Sequence, residues 1–342
     1  MDSGPGARLS RELSEGWDYS TGDLPGATRG PTPTSVIYNP GYMSLFSWLT
    51  GARRRFGVAF GDRFLLAARL SGGPGHSVVA ELTRQELPEG LLAPSAVNLN
   101  IRSVSELARL AGEALARIGC RGGRLGLLLP DLAARGFVFS SRANGSGAPH
   151  SGEAELLENL AARLPYPRAE AVVDTWRSGA GSVLAAAVRR PVLQQYEQTF
   201  QALGCRPSVV VPASMTRLPQ WAQWAQSAQR ADRARTSGPG LLVHVQLYPR
   251  HYTLSVFKRG VLVDVRLKLA SQGAGPLVEE VARVPGFYDG AELERVSFSG
   301  ELAREVCALA VEARLAPGRT ELGEDSEEAH LVGLLSSVAP RI

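Results

Sequence analysis

Arg53-Arg54-Arg55-Phe56-Gly57-Val58-Ala59-Phe60-Gly61-Asp62-Arg63-Phe64-Leu65-Leu66-Ala67-Ala68-Arg69-Leu70 is the stretch whose reading decides the fold. Phe56, Val58 and Phe60 recur at every second position, and an extended apolar run resumes at Phe64. That pattern predicts two strands joined by a tight turn. Gly61 falls at the turn, where the lack of a Cβ permits a positive φ and leaves backbone N–H groups open at the hairpin tip.

On the N-terminal side of this hairpin, residues 1–42 are rich in Gly, Pro, Ser and Thr and show no apolar periodicity. They read as a disordered N-terminal extension, with Met43 as the natural start of the folded chain. Phe46, Trp48 and Leu49 precede the three arginines, and such a segment suits either the folded domain or an anionic membrane surface. The whole chain has 342 residues, 44% of them hydrophobic and 20% charged. This describes a globular protein of more than one domain. A net charge of +4 over this length is too diffuse to imply nucleic acid. Cys120, Cys205 and Cys307 are odd in number and widely spaced, which argues against a disulfide framework or a zinc site and fits a reducing cytoplasm. No stretch reaches the ~20 apolar residues of a membrane-crossing helix.

On the C-terminal side, Leu87-Pro-Glu-Gly90 is a turn, and Ser103-Val-Ser-Glu106 has the form of a capping box. A helix follows, with Val104, Leu107, Leu110, Ala111, Ala114, Leu115 and Ile118 on one face and Gly119 as its stop. Strands are expected at 125–130, 137–140, 171–176, 183–188 and 208–211, with helices over 153–164 and 191–203. Residues 218–235 read as a helix carrying a core pair, Trp221 and Trp224, and 236–240 as a linker. Three strands over 241–247, 251–257 and 261–269 form an antiparallel meander. A helix (277–283), a strand (295–298), a helix (302–313) and an apolar helix over 329–338 complete the chain.

The order of these elements resembles the type IV pilus assembly protein PilM family, within the actin-like superfamily that also contains FtsA. The pieces that carry the resemblance are Met43-Ser-Leu-Phe-Ser47 before the basic cluster, Leu87-Pro-Glu-Gly90, Leu127-Leu-Leu-Pro130, Leu164-Pro-Tyr-Pro167, Val172-Val-Asp174, Ala185-Ala-Ala-Val-Arg-Arg190 and Leu203-Gly-Cys-Arg-Pro207. It covers residues 43–342. The resemblance implies an α/β, actin-like (ribonuclease H-like) fold of two lobes with an inserted α+β subdomain. The expected boundaries are 43–121 for the first lobe, 122–211 for the insertion, 212–240 for a connecting helix and linker, and 241–342 for the second lobe.

In this superfamily the opening hairpin cradles nucleotide phosphates, commonly as Gly-x-Asp-x-Gly-Ser/Thr. Here it reads Gly57-Val58-Ala59-Phe60-Gly61-Asp62. Ala59 supplies no metal ligand, and an ionised Asp62 repels phosphate. The second phosphate strand, usually Asp-Ile-Gly, is Val243-His-Val-Gln-Leu247, and the adenosine segment is reduced to Ser299-Gly300-Glu301. Only a vestigial nucleotide cleft is expected, at Gly57, Gly61, Asp62 and Gly300, with ATP and Mg²⁺ disfavoured. No metal-ligand spacing links His76, His150, His244, His251 and His330, and Asp174 reads as structural. The resemblance further implies a non-catalytic cytoplasmic scaffold of a pilus or secretion assembly. It would capture the N-terminal tail of an inner-membrane PilN-like protein between the first lobe and the insertion, and lie at the inner membrane through that partner. Self-association is expected beside that partner, and the alternatives are an active actin-like ATPase of the same assembly or the cytoplasmic part of a type II secretion platform.

Overall fold

Phe56–Phe60 (β1) and Phe64–Ser71 (β2) form the antiparallel hairpin that their alternation predicts, with Val58 opposite Ala67 and Phe60 opposite Leu65. The structure is a computed structural model. It describes residues 55–61, 63–71, 78–140, 151–177, 182–218, 221–222, 224–227, 240–270, 273–288, 291–300, 302–316 and 320–322. The expected extension 1–42, Asp62, the linker over 236–239 and the apolar helix over 329–338 lie outside the described residues, as do His76, His150 and His330.

β3 (Val78–Glu86) pairs antiparallel with β2, a strand the sequence reading passed over. A loop then leads to α1 (Val104–Arg117), whose N-cap Ser103 accepts a hydrogen bond from the Glu106 N–H, as the capping box requires. β4 (Gly123–Leu129) returns parallel to β1. The chain continues through β5 (Ala134–Ser140), α2 (Ser151–Ala161), β6 (Ala171–Arg177), β7 (Ser182–Arg189) and α3 (Arg190–Gln201) to β8 (Cys205–Pro212), parallel to β4. The first sheet therefore has the order β3-β2-β1-β4-β8, and β5-β7-β6 form a separate antiparallel sheet. The expected insertion, 122–211, is wider than this separate sheet. Its first and last strands, β4 and β8, belong to the first sheet because both carry uninterrupted apolar runs that must be covered on two faces.

The same plan repeats in the second half. β9 (Leu241–Leu247), β10 (His251–Lys258) and β11 (Val261–Leu269) form the meander, turning at Arg259 and Gly260 with φ of 55° and 71°. Paired positive φ values are the geometry that a two-residue hairpin needs. Then α4 (Ala274–Arg283), β12 (Leu293–Gly300), α5 (Ala303–Glu312) and β13 (Thr320–Leu322) complete the order β11-β10-β9-β12-β13. Two sheets of identical order, each a meander extended by two parallel strands with helical crossovers, make the α/β two-lobed architecture expected from the sequence.

Each lobe has its own core. On the first sheet, the Phe60 ring packs against Tyr196 and Phe200 of α3, with centroids at 5.3 and 6.2 Å. Truncating a buried ring such as Phe200 to Ala costs about 3–5 kcal/mol. On the second, Val243, Val245, Leu254, Val256 and Phe298 meet Val281 of α4 and Val306 of α5. β11, an edge strand of the second sheet, lies against β5 of the separate sheet. Gly136 permits that approach: a Cβ there would stand 2.4 Å from the Met215 methyl and 3.8 Å from Val265 of β11. An exposed edge invites further strand pairing, and β5 shields this one.

Candidate functional site

The second sheet has two unlike faces, set by strict alternation. Leu241, Val243, Val245 and Leu247 point to the helices α4 and α5. The other face of the same strands carries His244, Gln246, His251, Thr253, Ser255, Ser297 and Ser299, all buried. A buried row of polar side chains is costly unless each finds a partner, so this face is the part of the fold least explained by packing alone.

Two contacts tie it to the rest of the chain. Trp221, in a helical segment after the first sheet, stacks on the His244 ring with centroids 3.4 Å apart and planes 19° apart. His244 in turn shares a hydrogen bond of 3.1 Å with the Ser299 hydroxyl. Trp224 meets Trp221 edge-on at 6.2 Å, so the predicted core pair is a core pair. Its indole N–H donates to Glu321, which also pairs with Arg295.

The second contact joins the sheets. Asp131 lies just past the end of β4, buried, and its Oδ1 accepts hydrogen bonds from the backbone N–H (2.9 Å) and hydroxyl (2.7 Å) of Ser214, just past the end of β8. Its Oδ2 faces Nε2 of His251, the first residue of β10, at 3.7 Å. The His251 ring stacks on Tyr248 across the β9–β10 turn, at 4.5 Å and 15°. Thus the ends of β4 and β8 in one lobe, and the hairpin tip of the other, are joined by a carboxylate and an imidazole.

The described residues among those expected to mark a vestigial cleft fall on β1, on the turn after it and at the end of β12. Gly57 is buried inside β1, paired with Ala68 and Gly126, and is not at the hairpin tip. Gly61 is at the tip, but its N–H donates to the Phe64 carbonyl at 2.9 Å, and the Phe64 ring occupies the space a Cβ would take. The Arg84 guanidinium covers that ring, 3.5 Å from its centroid. Gly300 ends β12 with φ of 97°, in register with Leu247, and a Cβ there would lie 2.0 Å from the Leu247 carbonyl oxygen. Asp62 is outside the described residues. Asp174 is buried on β6, where its carboxylate accepts the Thr175 N–H.

Sequence reasoning missed Asp131 and Ser214. The available signal was position: each follows a Pro at the C-terminal end of a parallel strand, where α/β folds place their polar groups. It also missed a second arrangement, at the junction of the first lobe with the separate sheet. Gln195 of α3 accepts the N–H groups of Asn100 (2.7 Å) and Ile101 (3.1 Å) and donates to the Ile101 carbonyl (2.8 Å). Asn100 reaches the Tyr196 hydroxyl, and Arg189 bonds the Val97 carbonyl while pairing with Glu170. This fixed loop buries Ala96 in the core under the separate sheet and leaves Val97 and Leu99 exposed.

No protein-family model matches the chain, and no curated protein matches it in sequence. Solved structures do. A PilM–PilN type IV pilus biogenesis complex contains a chain with a TM-score of 0.58 at 16% identity, covering 84% of this chain and 97% of that one. A Bacteroides thetaiotaomicron protein with an actin-like ATPase fold and unknown function gives 0.51 at 9% identity, covering 81% and 94%. The cytoplasmic domain of EpsL, an inner membrane component of the type II secretion system of Vibrio cholerae, gives 0.46 at 12% identity, covering 82% and 93%. With sheet order and neighbours in agreement, the chain has the actin-like fold, in a form similar to that found in the PilM–PilN complex.

Proposed function

We propose that the protein is a non-catalytic scaffold in the assembly of a type IV pilus or related secretion machine, a pseudo-ATPase that holds the tail of a PilN-like inner-membrane protein. In this reading it works in the cytoplasm, at the inner membrane. The observation that carries the reading is the use made of the interlobe polar groups. The Gly61 N–H serves its own turn, Phe64 and Arg84 cover the hairpin tip, His244 lies under Trp221, and Asp131 Oδ1 accepts both hydrogen bonds from Ser214 while its Oδ2 faces His251 at 3.7 Å. Donors aimed at an incoming phosphate are what catalysis in such a cleft requires, and here the Gly61 N–H and both Ser214 donors are already bonded within the chain, while among the described residues Asp131 Oδ2 and the two ring nitrogens of His251 make no hydrogen bond.

The junction between α3 and the separate sheet supports the partner. Val97 and Leu99 are held outward on a loop whose backbone is fixed by Gln195, so an apolar peptide meets a surface already ordered. Pre-ordering lowers the entropy cost of binding an extended segment. Calorimetric titration with Mg-ATP, and separately with a peptide of the PilN-type tail, tests both halves. The expected result is peptide binding without nucleotide. A micromolar dissociation constant for Mg-ATP, about −8 kcal/mol, would overturn the scaffold reading in favour of an ATPase.

A further inference from the structure

One face of the separate sheet is lined with apolar side chains and ends in two arginines. On β5, alternation puts Arg135, Phe137 and Phe139 on this face. Tyr166 packs over it, against Ala185 and Ala187 of β7. In the register Phe137 stands opposite Ala185 and Arg135 opposite Ala187. Arg189 is the next residue of β7 on the same face, so the two arginines are diagonal neighbours, with Cα atoms about 7–8 Å apart.

The two differ in their partners. Arg189 donates to Glu170 at 2.5 Å and also holds the Val97 carbonyl. Arg135 is half-buried, donates to the neighbouring Ala134 carbonyl at 3.2 Å, and has no carboxylate beside it among the described residues. The charges of both arginines act on the Tyr166 hydroxyl. Among the described residues that hydroxyl has no hydrogen-bond partner, although Tyr166 is only 8% exposed. Burial outweighs the arginines and raises its pKa above the ordinary value, so it stays a protonated donor.

The hydroxyl lacks an acceptor and the guanidinium lacks a counter-charge, and burial makes both costly. An oxyanion satisfies the two together. Because Arg189 is already paired, one positive charge awaits it. That matches a carboxylate and leaves part of a phosphate's charge unmatched. The apolar neighbours narrow the ligand further. Half-buried Phe137 and Phe139 continue from Arg135 in one direction along β5, and Val97 is held by Arg189 in the other, with Leu99 exposed close by in sequence. An acyl chain has its carboxylate at one end, whereas an extended peptide carries apolar residues on both sides of an acidic one. Phe139 stands opposite Val183, and Arg189 lies six positions further along β7, a span of about 20 Å. Alternate side chains of an extended segment face such a surface.

We infer that Arg135 and Tyr166 form a carboxylate subsite of the partner junction, which takes an acidic side chain of an extended peptide whose apolar residues lie along β5 on one side and against Val97 and Leu99 on the other. The inference rests on the reading that this junction holds a peptide, and it names the chemistry by which the peptide is chosen.

The test is selection of a random-peptide library on the full chain. The expected consensus is Asp or Glu flanked on both sides by apolar residues. The leading peptide is then synthesised with Glu or with Gln at that position, and binding is read by fluorescence anisotropy. The parent should bind the Gln peptide about tenfold more weakly, the worth of one charged hydrogen bond. Arg135→Ala should bind the two peptides equally. Tyr166→Phe should weaken the Glu peptide about threefold, as for a neutral donor, with no loss of melting temperature, because the hydroxyl has no partner to lose. Neither inorganic phosphate nor decanoate should displace the peptide. Melting temperatures confirm that the variants fold. Equal affinity of the parent for the two peptides, or the same loss in Arg135→Ala, overturns the inference and leaves the junction an apolar peptide surface. Displacement by phosphate or by decanoate overturns it and reassigns the donors to a free phosphate or a fatty acid. Selection of no peptide, or of peptides that Leu99→Arg and Arg135→Ala bind as the parent does, overturns the partner reading as well.

Discussion

Asp131 and His251 meet across the two lobes, with Oδ2 and Nε2 3.7 Å apart and both side chains buried. Because Asp131 Oδ1 also receives two hydrogen bonds from Ser214, one carboxylate fixes the ends of β4 and β8 and faces the β9–β10 turn. Removing it strands buried donors, which costs about 1–3 kcal/mol for each group left without a partner.

Asp131→Ala is therefore expected to lower unfolding stability by about 2–4 kcal/mol. Asp131→Asn keeps an acceptor for Ser214 and should lose less than half of that. Urea denaturation of the three proteins measures the difference. Equal losses in both variants would show that the Ser214 hydrogen bonds are not what the carboxylate supplies.

A second polar cluster, on the apolar side of the second sheet, makes a pH prediction. Burial disfavours the charged form of Glu280, but hydrogen bonds from Lys268 and Tyr252 and the charges of Lys268 and Arg266 outweigh it. Its carboxyl is held below the ordinary value of 4.5. A carboxyl with a depressed folded pKa contributes stability that is complete above the unfolded value and is lost as pH falls through the folded one. Glu280→Gln should therefore destabilise the protein at pH 7, and the gap to the parent should close below pH 4.5. Melting temperatures across an acid series read the effect. A gap constant with pH would assign it to packing instead.

Alternation and helical periodicity are local, so they made the single elements legible, and the two-lobed plan came from the family resemblance that their order carries. The hairpin at Phe56, the capped helix after Ser103 and the meander from Leu241 are each specified by one continuous stretch of sequence. The limits of the insertion were not legible in this way. β4 and β8 are apolar runs whose sheet is decided by pairing with β1, far away in sequence. The interlobe contacts were hidden for the same reason. Asp131, Ser214 and His251 carry no spacing signal, and only the topology brings them together. His244 showed no metal-ligand spacing and proves to be buried, and its stacking on Trp221 depends on where the connecting segment crosses the second sheet.

The junction beside α3 yields a prediction on binding. Leu99 is 59% exposed on a loop anchored by its neighbours Asn100 and Ile101. Leu99→Arg should leave the melting temperature unchanged, since no described contact of the side chain is lost. It should weaken binding of a PilN-type tail peptide by at least about tenfold, 1.4 kcal/mol, if Leu99 is among the contact residues. Fluorescence anisotropy of a labelled peptide measures this. Unchanged affinity would move the partner's groove elsewhere on the protein.

The last prediction concerns Ala59, where the hairpin pattern of the resemblance, Gly-x-Asp-x-Gly, has Asp. Ala59 is buried, with Leu66 on one side and Leu128 on the other in the sheet register. A carboxylate at 59 would stand between two leucines with no cation described nearby, and burying an unpaired charge is strongly unfavourable. At the adjoining tip the Gly61 N–H is bonded to Phe64, and the Phe64 ring lies over the glycine. One restored carboxylate is therefore not expected to restore a site, because the neighbouring Gly61 donor is already used. Ala59→Asp is expected to cost about 2–4 kcal/mol of stability and to gain no affinity for Mg-ATP. Denaturation and calorimetric titration of the same variant give both numbers. A folded variant that binds Mg-ATP at micromolar concentration would mean that the cleft is still preorganised for nucleotide and that the loss of the carboxylate alone silenced it.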